Sequence, residues 1–256
     1  MALDLHHPFA KIANVIVYLT LLSGTLYSTF AGGASPDHES YISPAAFTFY
    51  IWTVIHFLLG GMIVYQWFTD KVYDAVRWHF VTASIFNAIW LALWTSGHTI
   101  WSMLPLFLAT GAVSHIYYGL KQLDSAENDS LLSVIFLHLP FSLYHAWIFV
   151  LMIVNIVTVA APVREDGPSF WAIVIVIAGL VFIASTVIGY IEYKQGDVAG
   201  ALVLAWFLFG VFEHQTEPAI HWTALGLGIV VAVYTLKPFV FRLIGRQSAE
   251  SAPLLG

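Results

Sequence analysis

Long apolar runs separated by short polar breaks divide the chain. Eight of them, at about 12–30, 44–68, 76–95, 99–120, 131–160, 170–190, 198–212 and 219–236, approach or exceed the roughly 20 residues with which an α-helix crosses a bilayer core. The seventh is the shortest. A connection such as Ser96-Gly97-His98 leaves room only for an antiparallel neighbour, and Ser43 followed by Pro44 predicts an N-cap with proline in the first helical position. The predicted fold class is all-α, a polytopic membrane bundle of about eight transmembrane helices.

The fifth run carries the most informative pattern, LPFSLYHAWIFVLMIVN over 139–155. At ~100° per residue, Pro140, Tyr144, Trp147, Leu151 and Asn155 share one helical stripe. An amide and a phenol at bilayer depth are costly without partners, so this stripe is expected to face protein or a cavity. It is the first place to look for a binding site.

Composition strengthens the membrane assignment. Of 256 residues 59% are hydrophobic and 9% charged, with a mean hydropathy of +0.82, more apolar surface than a soluble domain could cover. The absence of cysteine excludes disulfides, cysteine-ligated zinc and iron–sulfur clusters. A net charge of −6 without a basic cluster argues against nucleic acid as a partner.

With eight spans, Lys11, Lys71, Arg77, Lys121, Lys194, Lys237, Arg242 and Arg246 fall on the side of the N-terminus and Arg164 alone falls opposite. Demoting the seventh run would make the split five against four, so the positive-inside rule predicts eight spans with both termini cytoplasmic. Asp37, Glu39, Glu165, Asp166, Glu213 and Glu217 collect on the other face. The first run exceeds the 7–15 residues of a signal-peptide core and reads as a retained span, although Ala31-Gly32-Gly33-Ala34 follows it. Residues 247–256 read as a disordered tail.

Ten tryptophans are present. Trp67, Trp78, Trp101, Trp171 and Trp222 lie near span ends, where an interfacial aromatic belt accounts for them. Trp52, Trp90 and Trp147 lie deeper and call for helix packing or a ligand face. His56, His115, His138 and His145 are within or near the membrane; such histidines can hold haem iron or relay protons, but with no cytochrome pattern the favoured account is a tie to neighbouring helices. Glu213-His214 with Glu217 matches no metal-ligand spacing, and Lys237 stands at the end of its run, not inside it as a retinal attachment would require. No residue is assigned a catalytic or metal-ligating role.

Three motifs stand in order: PAAFTFYIWTVIH over 44–56, NAIWLALW over 87–94, and the fifth run with Trp147 eight residues before Asn155. Together they resemble the tryptophan-rich sensory protein family, also called the translocator protein or peripheral benzodiazepine receptor family. The resemblance covers the first five runs. It implies a five-helix bundle over 1–160, with a pocket open toward the loop between the first two helices that takes porphyrins, sterols or other flat hydrophobic molecules. Residues 161–246 would add three helices, as in longer relatives. The lining it implies is Trp52, Asn87, Trp90, Trp147 and Asn155, joined on the same stripes by His56, Trp94 and Tyr144.

Three positions depart from the family pattern. His56 stands where a tyrosine is usual, Pro44 alone remains of a proline pair, and Pro140 is three residues further from Trp147 than the usual spacing. His56 brings a group that titrates at ~6.5 when unperturbed, so ligand affinity is expected to depend on pH. The function read from the resemblance is binding or transport of a small hydrophobic ligand, a porphyrin or other tetrapyrrole or a sterol, in a sensor or carrier role. A bis-histidine haem redox protein and an enzyme acting on a bound tetrapyrrole are the alternatives. No cofactor is assigned with certainty, and porphyrin or haem would enter as ligand; the partners are the bilayer and that ligand, and a homodimer stays open.

Overall fold

The computed structural model describes residues 6–30, 40–123, 130–194 and 196–241. The expected tail over 247–256, the acids Asp37 and Glu39 and the cations Arg242 and Arg246 lie outside the described residues. In chain order the helices are α1 (Pro8–Phe30), α2 (Ile51–Tyr65), α3 (Lys71–Val76), α4 (His79–Thr95), α5 (Thr99–Leu123), α6 (Leu131–Ser133), α7 (Leu139–Ala160), α8 (Phe170–Ser185), α9 (Val187–Glu192), α10 (Val198–His214) and α11 (Pro218–Thr235). No strand occurs among the described residues. Among the described residues six helical segments are long and apolar enough to cross a membrane, and α4 and α10, of 17 residues each, are shorter apolar helices.

Helix α7 is the axis. It packs against α2, α5, α8 and α10, and the whole expected stripe of Pro140, Tyr144, Trp147, Leu151 and Asn155 is buried. One hydrophobic cluster runs from Ile42 to Val231, so α8 to α11 share a core with the helices before them. Helices α1 and α11 are the most exposed, as outer members facing lipid would be. Trp78, Trp101, Trp171 and Trp222 are exposed near helix ends and Trp67 is half-buried, whereas Trp90 and Trp147 are buried.

Several boundaries differ from the sequence pattern for local reasons. Ser43 does not cap a helix: its hydroxyl accepts from Ser40 N–H at 2.9 Å, and the chain turns only at the 3-10 segment Ala46–Tyr50 before α2 begins. The third run becomes helical only from His79, because Arg77, with a φ of 42°, ends the short α3 that precedes it. The fifth run opens through a π-helical turn, Val134–His138. Pro140 has no N–H to give to the preceding turn, and Leu139 N–H reaches back five residues to the Val134 carbonyl. The sixth run divides at Thr186 into α8 and α9.

Candidate functional site

Three helices and one turn bring the deep aromatic residues together. Trp52 and His56, one turn apart on α2, stack with ring centroids 5.4 Å apart. Trp52 meets Tyr144 edge-on at 5.7 Å and Trp147 at 6.5 Å, both from α7. From α4, Asn87 donates through Nδ2 to the Tyr144 hydroxyl at 2.9 Å, a bond between two buried groups. Phe49, on the 3-10 turn, sets its edge against Trp147 at 5.7 Å. Helix α1 closes the back: Thr25 Oγ1 and His56 Nε2 are 3.1 Å apart, and Tyr18 OH donates to the His56 carbonyl at 3.0 Å.

The centre is apolar with a few oriented polar groups, the composition of a small-molecule site. Among these groups His56 Nδ1 is buried without a hydrogen-bond partner. The indole N–H of Trp147 is buried without a hydrogen-bond acceptor, and so is that of Trp90. An unmade bond from a buried donor costs ~1–3 kcal/mol, so either N–H is a handle for a ligand acceptor.

Not every residue of the expected lining comes to this point. Trp52, His56, Asn87, Tyr144 and Trp147 form one contact set. Trp90 and Trp94 pair with each other on α4, centroids 6.1 Å apart. Asn155 bonds to Ser102 of α5, donating through Nδ2 at 2.8 Å, and belongs to a different part of the wall.

The histidines fall into separate environments. His145 Nδ1 is 2.6 Å from the Tyr190 hydroxyl and its ring lies flat on Tyr117 at 4.2 Å, so it ties α7 to α9 and α5. The rings of His79 on α4 and His115 on α5 lie 4.0 Å apart, tilted by 41°. Glu213 and His214 end α10, and Glu217 is the N-cap of α11.

Sequence reasoning missed two groups. Asp197, the N-cap of α10, is buried and accepts from Ser142 Oγ at 2.6 Å and Gly200 N–H at 2.9 Å. Its position just before an apolar run was a legible capping signal. The second group holds the loop before α2. Gln215 Nε2 donates to the Ser40 and Ser43 carbonyls at 3.1 and 2.8 Å, Trp206 Nε1 to the Thr48 carbonyl at 3.0 Å, and Ala45 N–H to the Gly210 carbonyl at 2.9 Å. No local pattern could announce partners some 160 to 175 residues away.

Apolar helices packed round a buried aromatic and amide centre define a polytopic helical membrane protein. The family model described as TSPO-like protein matches residues 8–237, and the chain belongs to that family. The match runs through α11, beyond the five runs that carry the motifs. No curated protein and no solved structure matches the chain.

Proposed function

We propose that the protein binds a flat hydrophobic ligand, of tetrapyrrole type, between Trp52, Asn87, Tyr144 and Trp147, and that it senses or carries that ligand at the membrane with both termini cytoplasmic. The observation behind this reading is the Trp147 indole: fully buried, set between the edges of Trp52 and Phe49, and holding an N–H without an acceptor. A planar ligand that displaces Phe49 gains two indole surfaces and supplies the missing acceptor. Asn87 would hold the Tyr144 hydroxyl in place as that face forms. His56, stacked on Trp52, adds a polar ring beside the ligand.

Quenching of tryptophan fluorescence by added porphyrin tests the proposal. Trp147→Phe, which keeps a ring and removes the N–H, should weaken binding by about 1 kcal/mol or more, and Asn87→Ala by a similar amount. Unchanged affinity in Trp147→Phe would place any porphyrin elsewhere.

A further inference from the structure

Where α3 gives way to α4, three basic side chains meet without a carboxylate between them. His79 opens α4 and His115 lies near the end of the antiparallel α5, which is what sets their rings 4.0 Å apart. Arg77 and His115 are the charged neighbours that act on His79. Arg77 is exposed and makes no ion pair among the described residues, and Asp74, one turn back on α3, bridges to none of the three. Neither imidazole makes a hydrogen bond among the described residues. Three side chains that carry N–H donors therefore share one place without an acceptor.

Beside the two histidines a groove of about 400 Å³ runs along α5, lined by Gly111, Ser114, His115, Tyr118, Gly119 and Gln122. Glycine keeps it open, since a Cβ at Gly111 or Gly119 would meet nothing within 4 Å. From Gly111 to Gln122 is about 16 Å of helix, and Gln122 adjoins Lys121 in the last turn of α5. His115, six residues before Lys121, sits about 9 Å below that charge. Trp78, 52% exposed next to His79, is an aromatic anchor of the same interface. The groove thus starts at headgroup depth and descends into the acyl region, and a basic pocket between helices at that depth is suited to an anionic headgroup.

We propose that the groove binds a phospholipid with a phosphomonoester headgroup, the phosphate oxygens accepting from Arg77, His79 and His115 and one acyl chain descending over Gly111. The guanidinium can engage two phosphate oxygens at once. Imidazoles this close repel each other when both are protonated, and a phosphomonoester, with about −1.5 to −2 charge, offsets that repulsion where a zwitterionic headgroup does not. The site uses none of Trp52, His56, Asn87, Tyr144 or Trp147, so it stands whether or not the aromatic centre binds porphyrin.

The test is photolabelling of the full chain in phosphatidylcholine nanodiscs with phosphatidic acid that carries a diazirine in one acyl chain. Label should concentrate in residues 111–119, and unlabelled phosphatidic acid should compete about tenfold better than phosphatidylcholine. Arg77→Gln and His115→Gln, both at exposed positions where folding is not at stake, should each remove most of that preference. Lys71→Gln, which removes a cation of the same face outside the groove, should preserve it. Equal competition by the two lipids, label spread evenly over all lipid-facing helices, a preference that survives both groove variants, or an equal loss in Lys71→Gln overturns the proposal. Glycerol 3-phosphate, the same headgroup without acyl chains, should not compete; competition as strong as that of the lipid would make the ligand a soluble phosphate ester and overturn the assignment to a lipid.

Discussion

Gly210 has no room for a methyl group: a Cβ there would lie 2.0 Å from Thr48 Oγ1 and 3.1 Å from Pro44 Cβ. The Thr48 hydroxyl can rotate, but the bonds from Trp206 to the Thr48 carbonyl and from Ala45 N–H to Gly210 hold the backbone, so Thr48 Cβ and Pro44 Cβ stay 3.1 Å away. Gly210→Ala should therefore lose about 1–3 kcal/mol of stability through overpacking, measured by thermal or denaturant unfolding in detergent. Gly226→Ala, where a Cβ meets nothing within 4 Å, should lose none and is the matched control. At the other end of the bundle, Tyr190→Phe removes the hydroxyl from His145 and should cost about 0.6–1.7 kcal/mol, the scale of polar ties between membrane helices. Asn155 shows where reading residues from sequence stops. It shares a stripe with Trp147, but eight residues are about 12 Å along a helix axis, enough to set it in another wall. Periodicity reports the angle of a side chain and says nothing of its depth relative to a neighbour on another helix.

Helix α7 was the most legible element because its polar residues are embedded in an apolar run and must find protein; all five members of the stripe did. Less legible was its beginning, where Pro140 changes the hydrogen-bond step and not the helical direction. Restoring the donor in Pro140→Ala should convert the π-helical turn Val134–His138 to α-helix, seen as slower hydrogen exchange at Leu139 and in the turn before it. Unaltered exchange would mean that tertiary contacts, such as Phe136 against Gly61, hold the turn by themselves. The start of α2 misled for the opposite reason. Ser43 and Pro44 form a plausible local cap, yet the carbonyls there are claimed by Gln215, and a long-range partner outweighed the local preference.

Across the whole molecule, the doubtful seventh run is decided by what its ends touch. Just before α10, the Gly196 carbonyl accepts from Lys121 Nζ at 3.0 Å, beside Lys194, which donates to the Lys121 carbonyl at 2.8 Å. Just after α10, Gln215 holds Ser40 and Ser43 of the loop that follows α1. The end of α5 and the loop after α1 are at opposite ends of the bundle, and α10, whose 17 residues span about 26 Å, runs between them. The first face also holds the pair of Lys11 with Asp70 at 3.8 Å and that of Lys237 with Glu192; the second holds Tyr41, whose hydroxyl accepts from Arg164 N–H at 3.0 Å. Cations thus gather on the face of the N-terminus, and the positive-inside rule turns that asymmetry into an orientation. A reporter fused after Gly256 should be active in the cytoplasm, and one inserted at Asp166 in the exposed loop between α7 and α8 should be active only on the far side of the membrane. A shared side for the two reporters would mean that the chain crosses an even number of times after the α7–α8 loop, so that α10 does not span, and a reversed pair would show that the cation asymmetry does not set the orientation.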